Sequence, residues 1–477
     1  MSGSTLALES AAVVDDGWSE ELAAVHRGLS AEDLRFRELA RTHPEMLDRA
    51  RFAALDANKH LLRFRIQPWP TFIGRAKLDE FKRISGGICR LIRQIPERIF
   101  RNDPVRVAEF YEIGSPALTE IFLSQPTGAD TLISRGDFID TRNGFQCIEF
   151  NFTPNLGGWE TSILAGMHME VPGTAEIVRS VGIRFSYTNT MRKFFFHLVD
   201  DGTAKGICAG DELNIVVVIS RESTADQIEA VRNYLNHEYD LAKEDLGGRI
   251  RGRVDVCSHG SLIAVRDALY LEKRRIHAVV EFSEDLTPTG VYRCFKANRL
   301  TLCNGPISPM LTSKKNIVLL SEHASSPVFD PAEQELLLRH IPWSRRVLPG
   351  PVSIHGEQVD LAELLASQRE DLVLKDADSC GGKDVFVGRF TPAGTWEEAV
   401  RRALEKTGWV VQEHVESLPY LYQSGERGCS PHDVIWGPFY FGDTYGGAIL
   451  RMQPKAERGP VNLSLNATEG IVFEVQS

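Results

Sequence analysis

The sequence predicts a multidomain protein of the mixed α+β and α/β classes, and three observations support this prediction. The chain has 477 residues, enough for about three domains, and 43% of them are hydrophobic. A helical pattern fills most of residues 18–110, a β-hairpin signal follows at 131–155, and strands alternate with helices from 213 to 282. Such patterning excludes wholesale disorder and fibrous repeats.

The N-terminal region is predicted to be a short tail followed by helices. Residues 1–17 are small and acidic and are expected to form a disordered tail. Apolar residues then recur every three or four positions over 18–110, most clearly from Leu78 to Ile92. The Gln67–Pro70 segment has two prolines and is expected to interrupt the helices.

Residues 111–206 are predicted to begin with a β-hairpin and to continue as helix. The strands lie within 131–155, and Asn143-Gly144 between them is a strong signal for a tight hairpin turn. A helical pattern covers 160–200, and the Asp200–Gly206 segment is expected to be a linker.

The hairpin carries oxygen side chains that could bind a metal ion. Glu149 and Asn151 are two residues apart on the second strand and project from one face. Asp137 lies across the turn from them. Two carboxylates and an amide oxygen suit Mg²⁺ when phosphates complete its coordination shell. The alternative interpretation is a set of solvated charges on a hairpin.

Residues 207–310 are predicted to form a small parallel α/β unit. Buried-strand patterns at Leu213–Ile219, Arg253–Cys257 and Ile276–Phe282 alternate with a helical pattern at Ala225–Tyr239.

Residues 311–477 alternate strands with helices and contain a loop that could bind phosphate. Two strands flank this polar loop, which has Lys375 at the end of the first strand and then Ser379, Gly381 and Gly382. Glycine backbone N–H groups and a lysine ammonium can bind phosphate oxygens. An ordinary hairpin with surface lysines is the alternative.

The strand that spans Gly408–Glu416 leads into a loop and could present its edge to an adenine ring. Its candidate residues are Gln412, Glu413, His414 and Val415, although an ordinary sheet strand has the same pattern.

Three basic residues complete the candidates. Lys314 and Lys315 precede an apolar run and by themselves indicate an exposed helix start. Arg451 ends an apolar strand, where a guanidinium could bind a carboxylate or phosphate through two hydrogen bonds or form a surface salt bridge.

Composition argues against several classes of function. The net charge of −11 argues against a nucleic-acid partner, and no apolar run approaches the length of a membrane span. The first twenty residues lack Lys and Arg, and the eight cysteines are scattered, so we expect a cytoplasmic protein with reduced thiols. The sequence has no G-x-S-x-G motif and no recognisable cysteine nucleophile, which argues against acyl-enzyme chemistry.

Taken in order, these motifs resemble those of the circularly permuted ATP-grasp superfamily, in the branch typified by glutathionylspermidine synthase. Arg135-x-Asp137, followed twelve residues later by Glu149-x-Asn151, is similar to that family's metal-binding segment. Residues 1–110, which precede this segment, carry none of the shared motifs.

The resemblance extends through the C-terminal half of the chain. Residues 313–315 resemble the family's phosphate-lysine segment, with Lys315 aligned to that lysine and Lys314 kept as the alternative. Residues 373–382 resemble the second lysine and the glycine-rich lid, although Asp follows Lys375 where the family has Pro. Residues 411–419 look like the adenine-side strand, and 434–451 resemble the closing strands.

The resemblance implies a circularly permuted ATP-grasp fold with a preATP-grasp-like unit at 207–310 and a nucleotide-binding part at 311–477. It implies ATP-dependent joining of a carboxylic acid to an amine through an acyl phosphate, with ATP and Mg²⁺ bound. The implied roles are Mg²⁺ binding by Asp137, Glu149 and Asn151, nucleotide binding by Lys315, Lys375, Ser379, Gly381, Gly382, Gln412, Glu413, His414 and Val415, and catalysis by Arg135 and Arg451.

Two other functions stay open at this point. The protein could be a small-molecule kinase that uses the same nucleotide site, or a non-catalytic nucleotide-binding protein. The basic residues of the site favour an anionic acid, and the amine could be a polyamine, an amino acid or a peptide. The sequence does not reveal the oligomeric state.

Overall fold

The structure, a computed structural model, describes residues 18–43, 61–62, 64–125, 132–208, 211–220, 222–283, 287–379, 383–425, 428–463, 465 and 467–476. The predicted tail at 1–17 and the loop residues Gly381 and Gly382 lie outside these residues.

The described helices are α1 Glu20–Leu29, α2 Ala31–Thr42, α3 Arg75–Arg98, α4 Pro104–Tyr111, α5 Pro116–Leu123, α6 Thr161–Glu170, α7 Pro172–Val181, α8 Thr190–Ala204, α9 Ala225–Asp245, α10 Thr289–Lys296, α11 Ser308–Thr312, α12 Lys315–Glu322, α13 Pro331–His340, α14 Leu361–Ser367 and α15 Ala393–Glu405. The described strands are β1 Arg65–Ile66, β2 Thr71–Ile73, β3 Ile133–Thr141, β4 Gly144–Asn151, β5 Phe185–Ser186, β6 Ile215–Val218, β7 Val254–Cys257, β8 Leu262–Val265, β9 Ala268–Leu271, β10 Arg274–Ile276, β11 Ala278–Glu281, β12 Thr301–Cys303, β13 Ser344–Arg346, β14 Pro351–Ile354, β15 Glu357–Asp360, β16 Leu372–Asp376, β17 Val385–Val387, β18 Trp409–Glu413, β19 Tyr420–Ser424, β20 Gly428–Phe441, β21 Thr444–Pro454 and β22 Thr468–Val475. No described helix is both long enough and apolar enough to cross a lipid bilayer.

The largest sheet in the described part of the chain joins segments that are far apart in sequence. Its strand order is β1-β22-β21-β20-β3-β4, with β19 beside β20 and with β2 and β5 beside β22. The predicted hairpin is present as β3 and β4, and it turns at Gly144, whose φ of 93° is a conformation that glycine adopts without strain. The helical N-terminal region therefore also supplies two short strands, which its sequence pattern did not predict.

The predicted parallel α/β unit is observed as a four-stranded parallel sheet in the order β12-β11-β6-β7. The chain leaves β6 toward β7 on one side and leaves β11 toward β12 on the other. In open α/β sheets, a crevice forms outside the carboxyl ends of the strands at such a switch point. A second four-stranded sheet, β13-β18-β16-β17, is antiparallel and contains the predicted phosphate-loop and adenine-side strands.

Helix α3 holds the hairpin against the core. Phe81 on α3 packs on Phe138, Phe145 and Trp436, with ring centroids 5.7, 4.6 and 5.6 Å away. Full burial of such a side chain contributes roughly 1.5–3 kcal/mol. The apolar periodicity from Leu78 onward therefore marks the face that packs against β3, β4 and β20.

The prediction of a linker at Asp200–Gly206 was wrong, because α8 continues to Ala204. Asp201 is buried there and accepts a hydrogen bond from Thr301 Oγ1 at 2.7 Å, which anchors the helix end to the parallel sheet. The prediction that Lys314 and Lys315 start an exposed helix was also wrong, since both side chains are buried.

A buried polar network attaches α1 and α2 to the large sheet. His26 Nδ1 lies 2.7 Å from Asp33 Oδ2, and His26 Nε2 accepts the Leu421 backbone N–H at 2.9 Å. Burial lowers the pKa of His26 and outweighs the opposing effect of Asp33. Because Nε2 must be unprotonated to accept this bond, the His26 side chain is neutral in the folded protein.

Substitution of His26 by glutamine is expected to reduce the pH dependence of stability. A histidine whose pKa is lower in the folded protein contributes stability above its unfolded value of 6.5, and this contribution is lost as the pH falls below that value. Urea unfolding at about pH 7.5 and about pH 5.5 should show a loss of unfolding free energy that is smaller in His26→Gln than in wild type, by about 1 kcal/mol. The control His237→Gln, at an exposed position, should behave as wild type; identical pH dependence in all three proteins would contradict this account.

Candidate functional site

A cavity of about 1050 Å³ opens where the large sheet, the parallel sheet and the antiparallel sheet meet. Most of the described candidate residues line it, namely Arg135, Asp137, Glu149, Asn151, Lys375, Ser379, Gln412, Glu413, His414, Val415 and Arg451. Lys315 does not line the cavity, whereas its neighbour Lys314 does.

The pairing of β3 with β4 brings the oxygen side chains together. Asp137 is directly opposite Glu149, and Arg135 is directly opposite Asn151. Directly opposed residues in an antiparallel pair share a face of the sheet, so these four side chains point into the cavity side by side. A β-bulge follows Asp137 and ends the regular pairing there.

Two arginines hold the Asp137 carboxylate. Arg451 Nη2 forms a short ion pair with Asp137 Oδ1, and Arg135 Nε lies 3.6 Å from the same oxygen. Burial by itself would raise the pKa of Asp137, but the charges of Arg451 and Arg135 outweigh this effect and lower it. The carboxylate therefore stays ionised at neutral pH.

Arg135 is anchored at the cavity wall. Its Nη1 donates to the Gly157 carbonyl at 2.9 Å, and its side chain passes over Gly437, where an added Cβ would lie 3.2 Å from Arg135 Cδ. Burial and the neighbouring Arg451 lower the pKa of Arg135 to about 10, so it remains a cation at neutral pH.

Lys375 lies at the end of β16 with its ammonium group inside the cavity wall. Its Nζ donates to Gln412 Oε1 at 2.7 Å and to the Ile148 carbonyl at 3.3 Å. Burial lowers the pKa of Lys375 to about 8, with Lys314 adding to the decrease and Glu149 opposing it. The ammonium group stays mostly charged at neutral pH and is available to an anionic ligand.

The two adjacent lysines have different surroundings. Lys314 donates to the Ser379 carbonyl, and its Nζ lies 3.8 Å from Glu149 Oε1 in the cavity. Lys315 Nζ instead donates to Glu112 Oε1 at 2.7 Å and to the Phe110 carbonyl at 3.2 Å. Successive positions at a helix start differ by about 100° in direction, which agrees with the different partners of the two ammonium groups. The structure thus places Lys314, the alternative, where Lys315 had been expected.

The adenine-side candidates fall into two groups. Gln412 is buried between Lys375 and Ser344, whose Oγ accepts its amide at 3.0 Å, so it orients the lysine. The strand ends at Glu413, and the chain continues along the cavity, where burial lowers the pKa of His414 to about 4. Ser379 Oγ donates to the Lys383 carbonyl at 2.8 Å, and these two residues flank the loop predicted to bind phosphate.

Two carboxylates near the arginines were not predicted. Glu469 on β22 pairs in register with Arg451, is 1% exposed, and has a pKa that burial and Glu160 raise well above its usual value. Glu160 lines the cavity at the start of α6. The sequence does signal Glu469, since it occupies the first position of the alternating apolar face that continues with Ile471 and Phe473.

The hairpin oxygens suit a magnesium ion. Among the described residues, no group of three or more His, Cys, Asp or Glu side chains is arranged to hold a metal. Asp137, Glu149 and Asn151 instead offer two carboxylates and an amide at one cavity wall, next to two lysines. Mg²⁺ often takes only one or two carboxylates and completes its shell with substrate phosphates, so this donor set fits it.

Comparison with known proteins supports the fold through structural similarity at low sequence identity. No protein-family model and no curated protein matches the sequence. The structure is similar to that of a glutathione synthetase-like effector, GSS30, from Globodera pallida in its apo form, with a TM-score of 0.53 and 11% sequence identity. The similarity covers 91% of this chain and 99% of that chain. The protein therefore has a mixed α+β architecture similar to that of a glutathione synthetase-like protein.

Proposed function

We propose that the protein is an ATP-dependent ligase that joins a carboxylic acid to an amine, on a circularly permuted ATP-grasp fold. The observation that carries this proposal is the convergence of two arginines, two lysines and three oxygen side chains, from residue 135 to residue 451, on one cavity wall. A triphosphate, its metal ion and a carboxylate need this combination of charges. The similarity to a glutathione synthetase-like structure adds support from the fold.

In this proposal each group of residues binds one part of the reactants. Asp137, Glu149 and Asn151 would hold Mg²⁺, which would neutralise phosphate oxygens when bound. Lys314 and Lys375 would bind the phosphates of ATP, and Gly381 and Gly382 are proposed to contribute to the same nucleotide site. Glu413, His414 and Val415 would lie along the adenine, while Gln412 keeps Lys375 in position.

The reaction needs no nucleophile from the protein. The γ-phosphoryl group of ATP passes to a carboxylate oxygen of the acid, which gives an acyl phosphate and ADP. The amine nitrogen then attacks the carbonyl carbon, the C–O bond to phosphate breaks with its electron pair, and the nitrogen loses a proton. Arg135 would stabilise the charge on the transferring phosphoryl group, and Arg451 would hold Asp137 beside it; positioning and charge stabilisation are the protein's contributions.

Product analysis tests this proposal. Purified protein with ATP and Mg²⁺ is supplied with a panel of carboxylic acids, with and without amines, and ADP and phosphate are measured. Amine-dependent phosphate release supports the ligase. ADP without free phosphate would indicate a kinase, and ATP binding without either product would indicate a nucleotide-binding protein.

The Glu149→Gln variant is expected to lose about a hundredfold or more in ATP turnover, because a magnesium ligand loses its charge. Its side chain is 22% exposed and lies 3.8 Å from Lys314, so the isosteric amide should leave the fold intact. Circular dichroism checks the fold, and Glu229→Gln, an exposed carboxylate on α9, serves as the matched control. Near-normal turnover in Glu149→Gln would refute the metal assignment.

A further inference from the structure

The cavity continues past the phosphate-side residues into a recess at the carboxyl edge of the parallel sheet. Trp159, Tyr234 and Phe282 line this recess together with Ile219 and Met191. Ile219 directly follows β6 and Phe282 directly follows β11, so the recess lies at the switch point of the sheet.

The aromatic walls of the recess are held in place by hydrogen bonds. Trp159 and Phe282 have ring centroids 5.7 Å apart, and Trp159 Nε1 donates to the Pro154 carbonyl at 3.1 Å. The Tyr234 hydroxyl donates to the Trp159 carbonyl at 3.0 Å and lies 3.1 Å from Ser162 Oγ. The recess is therefore preformed, and little ordering is needed when a ligand enters it.

Glu160 stands between this recess and the phosphate-side residues. It follows Trp159 in the chain and lines the cavity with a partly buried side chain. Its charge raises the pKa of Tyr234 on one side, and the charge of Arg135 acts on it from the other. A group held by Glu160 would thus lie next to the place where acyl transfer is proposed.

Three neighbouring groups set the charge of Glu160. Burial raises its pKa, while the backbone N–H groups of residues 158–160 and the guanidinium of Arg135 oppose the increase. The charge of Glu160 and burial also raise the pKa of Glu469 on β22. Glu160 faces the cavity beside the guanidinium of Arg135, and the Tyr234 hydroxyl on the α9 side is already committed to the Trp159 carbonyl.

We propose that the recess binds the amine substrate as its ammonium ion, with the aromatic walls around an apolar body and Glu160 on the ammonium group. This inference rests on the proposed ligase function. Glu160 accepts one proton from the ammonium group, and the freed lone pair attacks the acyl carbon. The C–N bond forms, the C–O bond to phosphate breaks with its electrons, and the departing phosphate takes the second proton from nitrogen.

Charge distinguishes the amine from the acid as the occupant of the recess. A carboxylate beside Glu160 would be repelled, whereas the phosphate-side wall of the cavity has Arg135, Lys314 and Lys375 for anions. Aromatic rings attract cations through their faces, and a desolvated carboxylate strengthens that preference. An ammonium ion on an apolar or aromatic body satisfies both parts of the recess.

Binding of a matched pair of probes tests the recess directly. Calorimetry on the full chain compares phenethylamine, a cation at neutral pH, with phenethyl alcohol, its neutral analogue. Glu160→Gln is expected to weaken phenethylamine binding about tenfold or more and to leave phenethyl alcohol binding unchanged. Phe282→Ala should weaken both probes. Failure of wild type to bind phenethylamine, or equal weakening of both probes by Glu160→Gln, would overturn the inference.

A second nucleophile separates this inference from the ligase proposal. Hydroxylamine is neutral at neutral pH and traps acyl phosphates as hydroxamates. With ATP and the acid panel, Glu160→Gln should lower phenethylamine turnover at least about tenfold more than it lowers hydroxamate formation. Absence of hydroxamate with wild type would count against the ligase proposal, and the probe-binding result would still decide the inference. A parallel loss with both nucleophiles would assign Glu160 a structural role instead.

Discussion

Substitution of Asp137 by alanine is expected to abolish ATP turnover and to destabilise the protein as well. Its carboxylate is the ion-pair partner of two buried arginines, Arg135 and Arg451. Removal of one partner from a buried ionic group typically costs about 3–5 kcal/mol, because the remaining charges are left uncompensated. Urea unfolding should therefore show a lower midpoint, and turnover should fall at least about a hundredfold.

Glu149→Gln provides the matched comparison on the paired strand. Both residues are proposed magnesium ligands, but only Asp137 compensates buried arginines, so Glu149→Gln should lose turnover and unfold as wild type does. If Asp137→Ala unfolds at the wild-type midpoint, the ionic network does not have the structural role inferred for it.

The adjacent lysines should respond in opposite ways to the same substitution. Lys314→Met removes the ammonium group that faces the cavity and is expected to reduce ATP turnover about a hundredfold. Lys315→Met removes an ion pair to Glu112 outside the cavity and should leave turnover within a few-fold of wild type, while stability falls by about 1–3 kcal/mol. Steady-state kinetics and urea unfolding measure the two effects.

Each lysine variant is a control for the other, since both lose one charge at neighbouring positions. If Lys315→Met lost turnover and Lys314→Met kept it, the original alignment of Lys315 with the phosphate-binding lysine would be restored and the geometric argument would be wrong.

Short sequence patterns were enough to predict the elements that depend on neighbouring residues alone. Asn143-Gly144 predicted the hairpin because few residues tolerate that turn, and the apolar runs of β6, β7 and β11 predicted a sheet buried on both faces. Spacing along the hairpin also indicated that Glu149 and Asn151 share a face, which the register then paired with Asp137 and Arg135.

Other features depend on contacts that no local pattern encodes. The choice between Lys314 and Lys315 is a matter of helix rotation, which the packing of α12 determines. The strands β1 and β2 are too short to show a period-two pattern, and they exist because β22 offers them a partner. Arg451 was ambiguous between a ligand-binding group and a salt bridge, and in the structure it forms an ion pair to Asp137 within the cavity wall.

The position of β22 bears on how the chain folds during synthesis. This strand, at Thr468–Val475, pairs with β1, β2, β5 and β21. It therefore joins short strands from the N-terminal half of the chain to β21 in the C-terminal part. A nascent chain that has not yet exposed residue 475 from the ribosome tunnel leaves these four strands without a common neighbour. The parallel α/β unit can fold earlier on the ribosome, whereas the large sheet that contains the β3–β4 hairpin is completed late. Until then its unpaired strand edges are targets for chaperones.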